Sequence, residues 1–359
     1  MDLPLQGVRV LEVGGGIPAA FAGRWLAGFG ADVVRTEGSG AVPLTDDEVV
    51  YLLPGKRRID VESTELRQLA LEADIVVEDR APGSLASLGC APEDLRRDRP
   101  PLVVVSVTPF GQTGPYAQYQ ATNAVSFAMG GIMSLTGDIS RAPLLTGGSQ
   151  AQYLGGLNAA SAAMVAYFGA LVHGEGDWVD ISLQECAAGM LELYCAGTSY
   201  GEPVQLRMGN HIRAVWGIYP CKDGWAGVFC LERQIPALFA LLDDPDLDDQ
   251  RFRDPLQRVE HDEELIPKLY VFFAEKTMAE VLELGPANKV PLGVAVRPGD
   301  LLASAGLAER GFFDAVATPG GVAHVPGRPF PGYGWRVGEL SAPGADTASV
   351  LDEWSAVAR

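Results

Sequence analysis

The chain has 359 residues and a formal net charge of −19 at pH 7, from 27 basic and 46 acidic residues. This length favours two lobes over one small domain. So large an excess of acid argues against a nucleic-acid partner, because it would repel a phosphate backbone. The sequence has no run of about 18 uninterrupted apolar residues, and its acidic N-terminal segment lacks the basic start of a signal peptide. We therefore expect a cytoplasmic protein with no membrane partner.

The positions of cysteine and histidine argue against a disulfide framework and against a metal site. The chain has 5 cysteines and 4 histidines, and they are widely separated. No two cysteines form a C-x-x-C pair, and no histidines have the spacing of metal ligands. We therefore expect reduced thiols and no bound metal.

The N-terminal part of the sequence predicts alternating strands and helices. A strand pattern at 8–13 is followed by three consecutive glycines, a helical pattern at 18–29 and a second strand pattern at 31–37. The alternation continues with a helix at 63–72, a strand at 75–78, a helix at 92–97 and a fully apolar strand at 102–107. This order is typical of an α/β fold whose parallel sheet is covered on both faces.

The rest of the chain predicts further elements and a change of lobe. They are a long buried helix at 150–173, a strand at 178–183 with a helix after it, a hairpin at 218–230, and helices at 233–243 and 262–284. Between them, a change in composition to Gly, Arg and Asn around 201–217 indicates a crossing between the two lobes.

The glycines after the first strand have the spacing of a dinucleotide-binding turn. Gly14-x-Gly16-x-x-Ala19 opens the first helix, and Glu37 ends the next strand. Such glycines let backbone N–H groups approach a pyrophosphate, and an acid about 20 residues further on can bind a ribose. Three interpretations stay open: a nicotinamide dinucleotide site, a site for the pyrophosphate of another nucleotide, and a tight turn without a ligand.

A second glycine-rich segment, PFGQTGP at 109–115, directly follows the apolar strand. It is a loop at the carboxyl end of a strand, where open α/β sheets place their ligands. Gly111 in this loop is therefore a candidate binding residue, and a rigid structural turn is the alternative.

Several segments, taken in order, resemble CoA-transferase family III. They include GFGADVVRTE, ADIVVEDRAPGSLASLG, SVTPFGQTGPYA, GGIMSLTGD, DWVDISLQE and RMGNHIRAVWGIYPCKDG. The family is also known as the L-carnitine dehydratase/bile-acid-inducible protein F family, and it includes formyl-CoA transferase and 2-methylacyl-CoA racemase. The resemblance implies a large Rossmann-like domain with a parallel sheet over 1–200, a smaller α+β domain over 201–300, and a return to the large domain over 301–359.

The resemblance also implies partners and substrates. Family members form interlocked dimers, so we expect a homodimer or a heterodimer with a paralogue. The substrates implied are an acyl-CoA and a carboxylic acid, with CoA acting as substrate and no covalently bound cofactor.

At the family's catalytic positions this chain has other residues. The transferases use an aspartate as a nucleophile that forms covalent intermediates, and the position matching it is Gln152. In the racemases the same aspartate works with a histidine as an acid–base pair, and the position matching that histidine is Thr122, followed by Asn123. A neutral amide has no ionised oxygen with which to attack a thioester. A glutamate of the racemase site corresponds to Glu232, which is the third candidate catalytic residue.

The residues that would hold CoA are also altered. Family arginines near the CoA phosphates correspond to Gly38, Ala81 and Ser87, and each lost charge-assisted contact costs roughly 1.5–3 kcal/mol. Other basic residues lie nearby, and the resemblance together with the glycine motifs assigns CoA binding to a set of seven candidates. These are Gly16, Ile17, Pro18, Lys56, Arg57, Arg80 and Gly111, with Arg35 and Arg58 as further basic neighbours.

Three functions remain open from the sequence. The first is an atypical or non-catalytic subunit of a CoA-transferase that works with an aspartate-bearing paralogue. The second is a redeployed acyl-CoA lyase, isomerase or racemase-like enzyme that uses Glu232, with Gln152 as a hydrogen-bond donor to the thioester oxygen. The third is a binding or regulatory protein that does not use CoA.

Overall fold

A computed structural model describes residues 3–37, 43–201 and 207–355 of the chain. It divides into two compact units. The first comprises Met1–Met133, Leu145–Val204 and Ala305–Arg359, and the second comprises Ser134–Leu144 and Gln205–Ser304. Both ends of the chain therefore belong to the first unit. The short segment Ser134–Leu144, which the sequence analysis places in the large domain, belongs to the second unit.

The first unit contains the strands and helices of an α/β fold. Its strands are β1 (Arg9–Val13), β2 (Asp32–Thr36), β3 (Arg57–Ile59), β4 (Ile75–Glu78), β5 (Val103–Thr108), β6 (Trp178–Ser182), β11 (Phe313–Thr318) and β12 (Gly321–Pro326). Its helices are α1 (Ile17–Gly28), α2 (Asp46–Leu52), α3 (Ser63–Glu72), α4 (Ser84–Ser87), α5 (Pro92–Asp98), α6 (Asn123–Met129), α7 (Gln150–His173), α8 (Leu183–Ala188), α9 (Glu192–Ser199), α16 (Ala305–Glu309) and α17 (Thr347–Ser355).

The main sheet of this unit has six strands in the order β3-β2-β1-β4-β5-β6, and all neighbouring strands are parallel. This arrangement confirms the expected α/β class with a Rossmann-like parallel sheet. The strand order reverses between β1 and β4. In open parallel sheets, ligands bind outside the carboxyl ends of the strands at such a reversal.

The central strands are buried because helices cover both faces of the sheet. Every residue of β1 and of β5 is buried, including the charged residues Arg9 and Glu12 of β1. One face packs against α1 and α7, and the other packs against α3, α5 and α17. The C-terminal Trp354 is only 1% exposed, and its indole N–H donates to Asp32 at 2.9 Å.

Helix α7 packs closely on α1 through small residues. A Cβ atom at Gly156 would lie 2.7 Å from the carbonyl oxygen of Pro18, and one at Gly155 would lie 2.1 Å from the side chain of Leu183. By length and composition alone, α7 is also the one helix in the described part of the chain that could cross a membrane, with a mean hydropathy of 1.4. Apolar core helices share this property.

The second unit is built around a four-stranded antiparallel sheet in the order β10-β9-β8-β7. Its strands are β7 (His211–Arg213), β8 (Trp216–Cys221), β9 (Gly224–Phe229) and β10 (Leu292–Val294). Its helices are α10 (Ile235–Leu242), α11 (Gln250–Arg253), α12 (Pro255–Glu260), α13 (Asp262–Ala274), α14 (Met278–Asn288) and α15 (Pro298–Leu301). The predicted hairpin is confirmed, since Cys221 pairs with Gly224 across the Lys222-Asp223 turn.

The prediction of one helix at 262–284 is wrong, because the structure has two helices in this range. α13 ends at Ala274 and α14 begins at Met278. Thr277 caps α14 by accepting the N–H of Glu280 at 3.2 Å, while Glu280 accepts the N–H of Thr277 at 2.7 Å. This reciprocal capping box starts a new helix where hydrophobic periodicity alone predicts a continuous one.

Candidate functional site

The glycine-rich turn after β1 is occupied by a side chain of the protein itself. Asp79 follows β4 directly, and its carboxylate accepts the N–H groups of Gly16 at 3.3 Å and of Ala19 at 3.1 Å. A Cβ atom at Gly14 would lie 2.2 Å from Asp79 Oδ1, and one at Gly16 would lie 2.5 Å from Oδ2. The glycines therefore make room for Asp79.

This contact gives the N–H groups of Gly16 and Ala19 an internal acceptor, and the assignment of Gly16, Ile17 and Pro18 to CoA binding stays a prediction. The N-terminus of α1 attracts anions, but Asp79 already satisfies that attraction. Ile17 and Pro18 are buried in the packing of α1. Burial raises the pKa of Asp79, while its hydrogen bonds from Ala19 and Gly16 oppose that rise.

Lys56 lies in a buried cluster and not in a ligand site. Its ammonium group donates to Glu12 and to the carbonyl oxygen of Ala20, both at 2.6 Å, and Arg35 forms an ion pair with the other oxygen of Glu12. Burial lowers the pKa of Lys56 to about 8, against the attraction of Glu12. Burial alone would raise the pKa of Glu12, but Lys56 and Arg35 together hold it below its ordinary value. The structure thus gives the ammonium group of Lys56 internal partners, and its assignment to CoA binding stays a prediction.

Arg57 lies at the opposite edge of the sheet from the expected ligand. Its Nε donates to Asp32, the first residue of β2, at 3.0 Å, and Nη1 donates to Glu353 of α17 at 2.7 Å. These partners place its guanidinium towards the amino ends of the strands, whereas ligands bind at the carboxyl ends. Arg57 therefore contacts the C-terminal helix, and its assignment to CoA binding stays a prediction.

Arg58 and Arg80 lie nearer the carboxyl edge. Arg58 Nε donates to Glu37 at 2.5 Å and Nη1 donates to the carbonyl oxygen of Ser341 at 3.0 Å, so its charge has an internal partner. Arg80 lines a cavity of about 300 Å³ beside Gly14 and Glu37. Arg35 and Arg58 line an adjoining cavity of about 210 Å³ at the same edge, so three of the basic residues lie beside cavities there.

The positions matching the family arginines carry no replacement cation of their own. Gly38 lies outside the described residues. Ala81 and Ser87 are exposed residues just before and at the end of α4.

Gly111 is buried in a loop whose backbone donates a hydrogen bond to the side chain of Asp180. The Asp180 carboxylate accepts the N–H of Gln112 at 2.8 Å, and a Cβ atom at Gly111 would lie 3.3 Å from Asp180 Oδ2. Gly111 has a φ of +86°, a conformation that favours glycine. Asp180 of β6 therefore fixes the path of this loop, and Gly111 supplies the backbone conformation that this path requires.

Gln152 and Thr122 lie at two helix N-termini that Asn123 joins. Thr122 caps α6 by accepting the N–H of Val125 at 3.5 Å. The Asn123 side-chain oxygen accepts the N–H groups of Ala151 at 3.0 Å and of Gln152 at 3.4 Å, so it caps α7. Gln152 is half-buried in the first turn of α7, and that turn contains no acidic residue. The structure therefore brings these two predicted positions to one place and gives Thr122 a structural role.

Glu232 belongs to the second unit and is committed to an ion pair. Both of its carboxylate oxygens contact Nη2 of Arg258, whose side chain is only 5% exposed. Arg258 also donates to the carbonyl oxygen of Phe252 at 2.8 Å. Both carboxylate oxygens of Glu232 are therefore engaged by Arg258 and are not free to contact a substrate.

Three residues of the site were missed by the sequence analysis. Asp79, Asn123 and Asp180 each bind backbone N–H groups of another segment. Asp79 had a readable signal, since it directly follows a strand that ends beside the glycine turn. The other two contacts depend on loops whose paths no local pattern reveals. Within the described residues, no group of three or more metal-ligating side chains is present.

Comparison with known proteins agrees with this α/β fold. Residues 54–345 match the model of CoA-transferase family III, and this chain belongs to that family. It is 27% identical to succinyl-CoA:glutarate CoA-transferase of Mus musculus, over 98% of this chain and 86% of that protein. It is 28% identical to the BbsE subunit of succinyl-CoA:(R)-benzylsuccinate CoA-transferase of Thauera aromatica, over 96% of this chain and 93% of that protein.

The fold is also similar to a solved structure of the same family. A CAIB/BAIF family protein from Brucella suis superposes with a TM-score of 0.87 and 25% identity, covering 99% of this chain and 100% of that one. The expected membership of CoA-transferase family III and the expected α/β fold class are therefore confirmed.

Proposed function

We propose that this chain is a CoA-transferase subunit that does not itself form the covalent intermediates of the reaction. The observation that carries the proposal is Gln152 in the first turn of α7, at the position that matches the nucleophilic aspartate. The transferase reaction needs a carboxylate oxygen to attack the thioester carbonyl and release the CoA thiolate. The amide of Gln152 is neutral and has no such oxygen.

The surroundings of Gln152 support the same conclusion. The first turn of α7 contains no acid that could replace the nucleophile. Thr122, at the position that matches the racemase histidine, caps α6 and has no group that titrates near neutral pH. Both halves of the family's acid–base chemistry are thus missing at this place.

The internal ion pairs of the basic residues support weak binding of CoA. Lys56, Arg57 and Arg58 each have an internal carboxylate partner. A phosphate would have to compete with those carboxylates for the same donors. We therefore expect acyl-CoA to bind more weakly to this chain than to an aspartate-bearing relative.

A subunit role requires a partner, and two observations favour one. The Thauera relative is named as a subunit of its enzyme. Helix α7 has a row of exposed apolar side chains on the face opposite α1, and this face is defined by Val165, Phe168, Leu171 and Val172. We propose that a second chain of the same family, either a copy of this one or an aspartate-bearing paralogue, covers this α7 face.

The redeployed enzyme is less well supported, because Glu232 is held by Arg258. We therefore expect Glu232→Gln to lower stability without removing any activity of the assembly. Glu232 itself is 64% exposed, so the loss is limited to about 1 kcal/mol. No contact among the described residues specifically favours the third function, a binding or regulatory protein that does not use CoA.

The test is a transfer assay on the chain alone and on the chain with an aspartate-bearing family member from the same organism. Succinyl-CoA serves as donor and a panel of dicarboxylic acids as acceptors, since the curated relatives carry such names. We expect no transfer by the chain alone. We expect the mixture to transfer CoA. This activity should remain when Gln152→Ala is introduced in this chain, and it should disappear when the partner's aspartate is replaced. Steady turnover by the chain alone would refute the proposal.

A further inference from the structure

The second unit contains two cavities that share a buried arginine. The smaller, of about 380 Å³, lies beside the start of β8 and the residues that follow β9, and the larger, of about 610 Å³, lies beside α10. Glu232 and Arg258 line both cavities. Cavities of this size are large enough for a small organic ligand.

The ion pair between Glu232 and Arg258 joins an exposed anion to a buried cation. The side chain of Arg258 is 5% exposed, whereas that of Glu232 is 64% exposed. Both oxygens of Glu232 contact the same nitrogen, Nη2, so the pair lacks the two parallel hydrogen bonds of a carboxylate on a guanidinium fork. A buried guanidinium needs an anion beside it, and a ligand carboxylate meets that need as well as Glu232 does.

A second cation lines the smaller cavity. Arg213, the last residue of β7, is exposed, and among the described residues its guanidinium has no hydrogen bond or close ion pair. Burial raises the pKa of Asp262 in the same cavity, while the N–H of Ala214 and the charges of Arg213 and Arg258 oppose that rise. Both guanidinium groups therefore act on one carboxylate, which places them on the same cavity.

The rest of the smaller cavity is mainly apolar. Trp216 stacks on Phe229 with ring centroids 4.4 Å apart, and its indole N–H donates to the carbonyl oxygen of Cys230 at 2.7 Å. These two contacts fix the indole ring as a rigid wall. The other apolar side chains that line the cavity are Val215, Leu231 and Val259. Such a lining suits the carbon chain of an organic acid better than a small inorganic anion.

We propose that the smaller cavity binds a small dicarboxylic acid, and that Glu232 competes with this ligand for Arg258. One carboxylate of the acid replaces Glu232 on the buried guanidinium, the other pairs with Arg213, and the carbon chain packs on Trp216. Glu232 moves into solvent, to which it is already largely exposed. Because one carboxylate replaces another at Arg258, the net affinity comes from Arg213 and the apolar wall.

The inference goes beyond the proposed function. It concerns the second unit alone, and it does not depend on whether Gln152 takes part in a covalent step. A dicarboxylic acid bound here is held by Arg213 and Arg258 whichever subunit performs the transfer.

The test compares glutarate with valerate by calorimetric titration of the full chain at fixed pH and ionic strength. The two acids have the same number of carbon atoms, and glutarate has a second carboxylate in place of the methyl group. We expect saturable binding of glutarate. We expect valerate to bind about fivefold more weakly, the equivalent of about 1 kcal/mol for an ion pair with an exposed arginine.

Glu232→Gln removes the competing carboxylate. We expect this variant to bind glutarate about fivefold more tightly than the wild type, because an internal competitor lowers the apparent affinity by the fraction of sites that it occupies. Adding Arg258→Met to Glu232→Gln removes both members of the pair and leaves no buried charge, so we expect the double variant to lose glutarate binding. Thermal denaturation shows that each variant is folded before it is titrated.

Arg213→Gln tests the second contact and leaves the buried pair intact. We expect this variant to bind glutarate as weakly as valerate, with its affinity for valerate unchanged. Arg297→Gln is the matched control, because Arg297 is an exposed arginine of the second unit that lines neither cavity, and it should change neither affinity.

Weaker or unchanged binding of glutarate by the Glu232→Gln variant would overturn the inference. So would an Arg213→Gln variant that binds glutarate like the wild type, and so would the absence of glutarate binding by both the wild type and the Glu232→Gln variant up to millimolar concentration. These results leave the subunit proposal standing, because that proposal depends on the transfer assay with a partner. Turnover by the chain alone would instead refute the subunit proposal and leave the glutarate affinities as an independent finding.

Discussion

At the scale of single residues, carboxylates of the protein make structural contacts at places where the glycine-rich motifs suggest a bound ligand. Asp79 fills the N-terminus of α1, Glu12 neutralises Lys56 and Arg35, and Asp180 holds the loop at Gly111. Each of these acids comes from a different strand of the parallel sheet. These three acids therefore make internal contacts with backbone N–H groups or with cations of the first unit.

Replacing Asp79 tests its role directly. Asp79→Ala leaves the N–H groups of Gly16 and Ala19 without their acceptor, so we expect a loss of about 1–2 kcal/mol in the free energy of unfolding. Asp79→Asn keeps one acceptor oxygen and relieves the buried charge, so we expect a smaller loss. Urea denaturation of both variants gives the comparison. Equal stability of the alanine variant and the wild type would show that Asp79 does not hold the turn.

Glu78 should make stability depend on pH. Burial raises its pKa from 4.5 to about 7. Between these values the folded protein keeps a proton that the unfolded chain releases, so stability falls as pH rises through this window. Glu78→Gln removes this contribution, and we expect the variant to gain on the order of 2 kcal/mol over the wild type between pH 4.5 and pH 7.5.

The measurement is urea denaturation of both proteins at several pH values. The difference between them cancels the titration of all other groups that the substitution leaves undisturbed. A difference that does not change with pH would show that the pKa of Glu78 is not raised in the folded chain.

At the scale of elements, helix α7 links the catalytic position to the proposed interface. Its first turn carries Gln152, its buried face packs on α1 through glycine and alanine, and its outer face is apolar. A helix with an apolar outer face that no other part of the described chain covers is a typical site of association.

Phe168 on the α7 face is 67% exposed and tests this association. Phe168→Glu places a charge in the proposed interface, so we expect a two-chain assembly to dissociate or to accumulate poorly. Phe168→Leu keeps an apolar side chain and is the matched control. Size-exclusion chromatography with light scattering measures the mass of each protein. An assembly of unchanged mass and stability in the glutamate variant would contradict an interface at this face.

Elements with a strong local pattern could be predicted from the sequence. The apolar run of β5 and the small, apolar residues of α7 indicate buried elements, and both are found where expected. The three-residue strand β3 has too short a pattern to be recognised, so the sequence does not reveal the internal partners of Lys56 and Arg57. Their side chains alternate across the sheet and reach partners on β1, β2 and α17, so proximity in sequence to a binding segment says little about them.

At the scale of the whole molecule, the fold of CoA-transferase family III is combined with a glutamine in the first turn of α7, where the family resemblance implies an aspartate. The family match and the parallel sheet follow from the long-range order of the motifs, which the sequence contains. The roles of Asn123 and Asp180 could not be predicted in the same way, because each depends on distant strands or loops meeting in the fold. The family resemblance assigns the aspartate position to Gln152, and the structure adds that the first turn of α7 contains no acidic residue.

The most direct test of the central claim is the intact mass of the protein after incubation with succinyl-CoA at millimolar concentration. We predict that the wild-type chain gains neither a covalently bound acyl group nor covalently bound CoA, because Gln152 cannot attack the thioester. Gln152→Asp restores a carboxylate in the first turn of α7, and we predict an adduct on it that the neighbouring control Gln150→Asp does not form. An adduct on the wild-type chain alone would contradict the account.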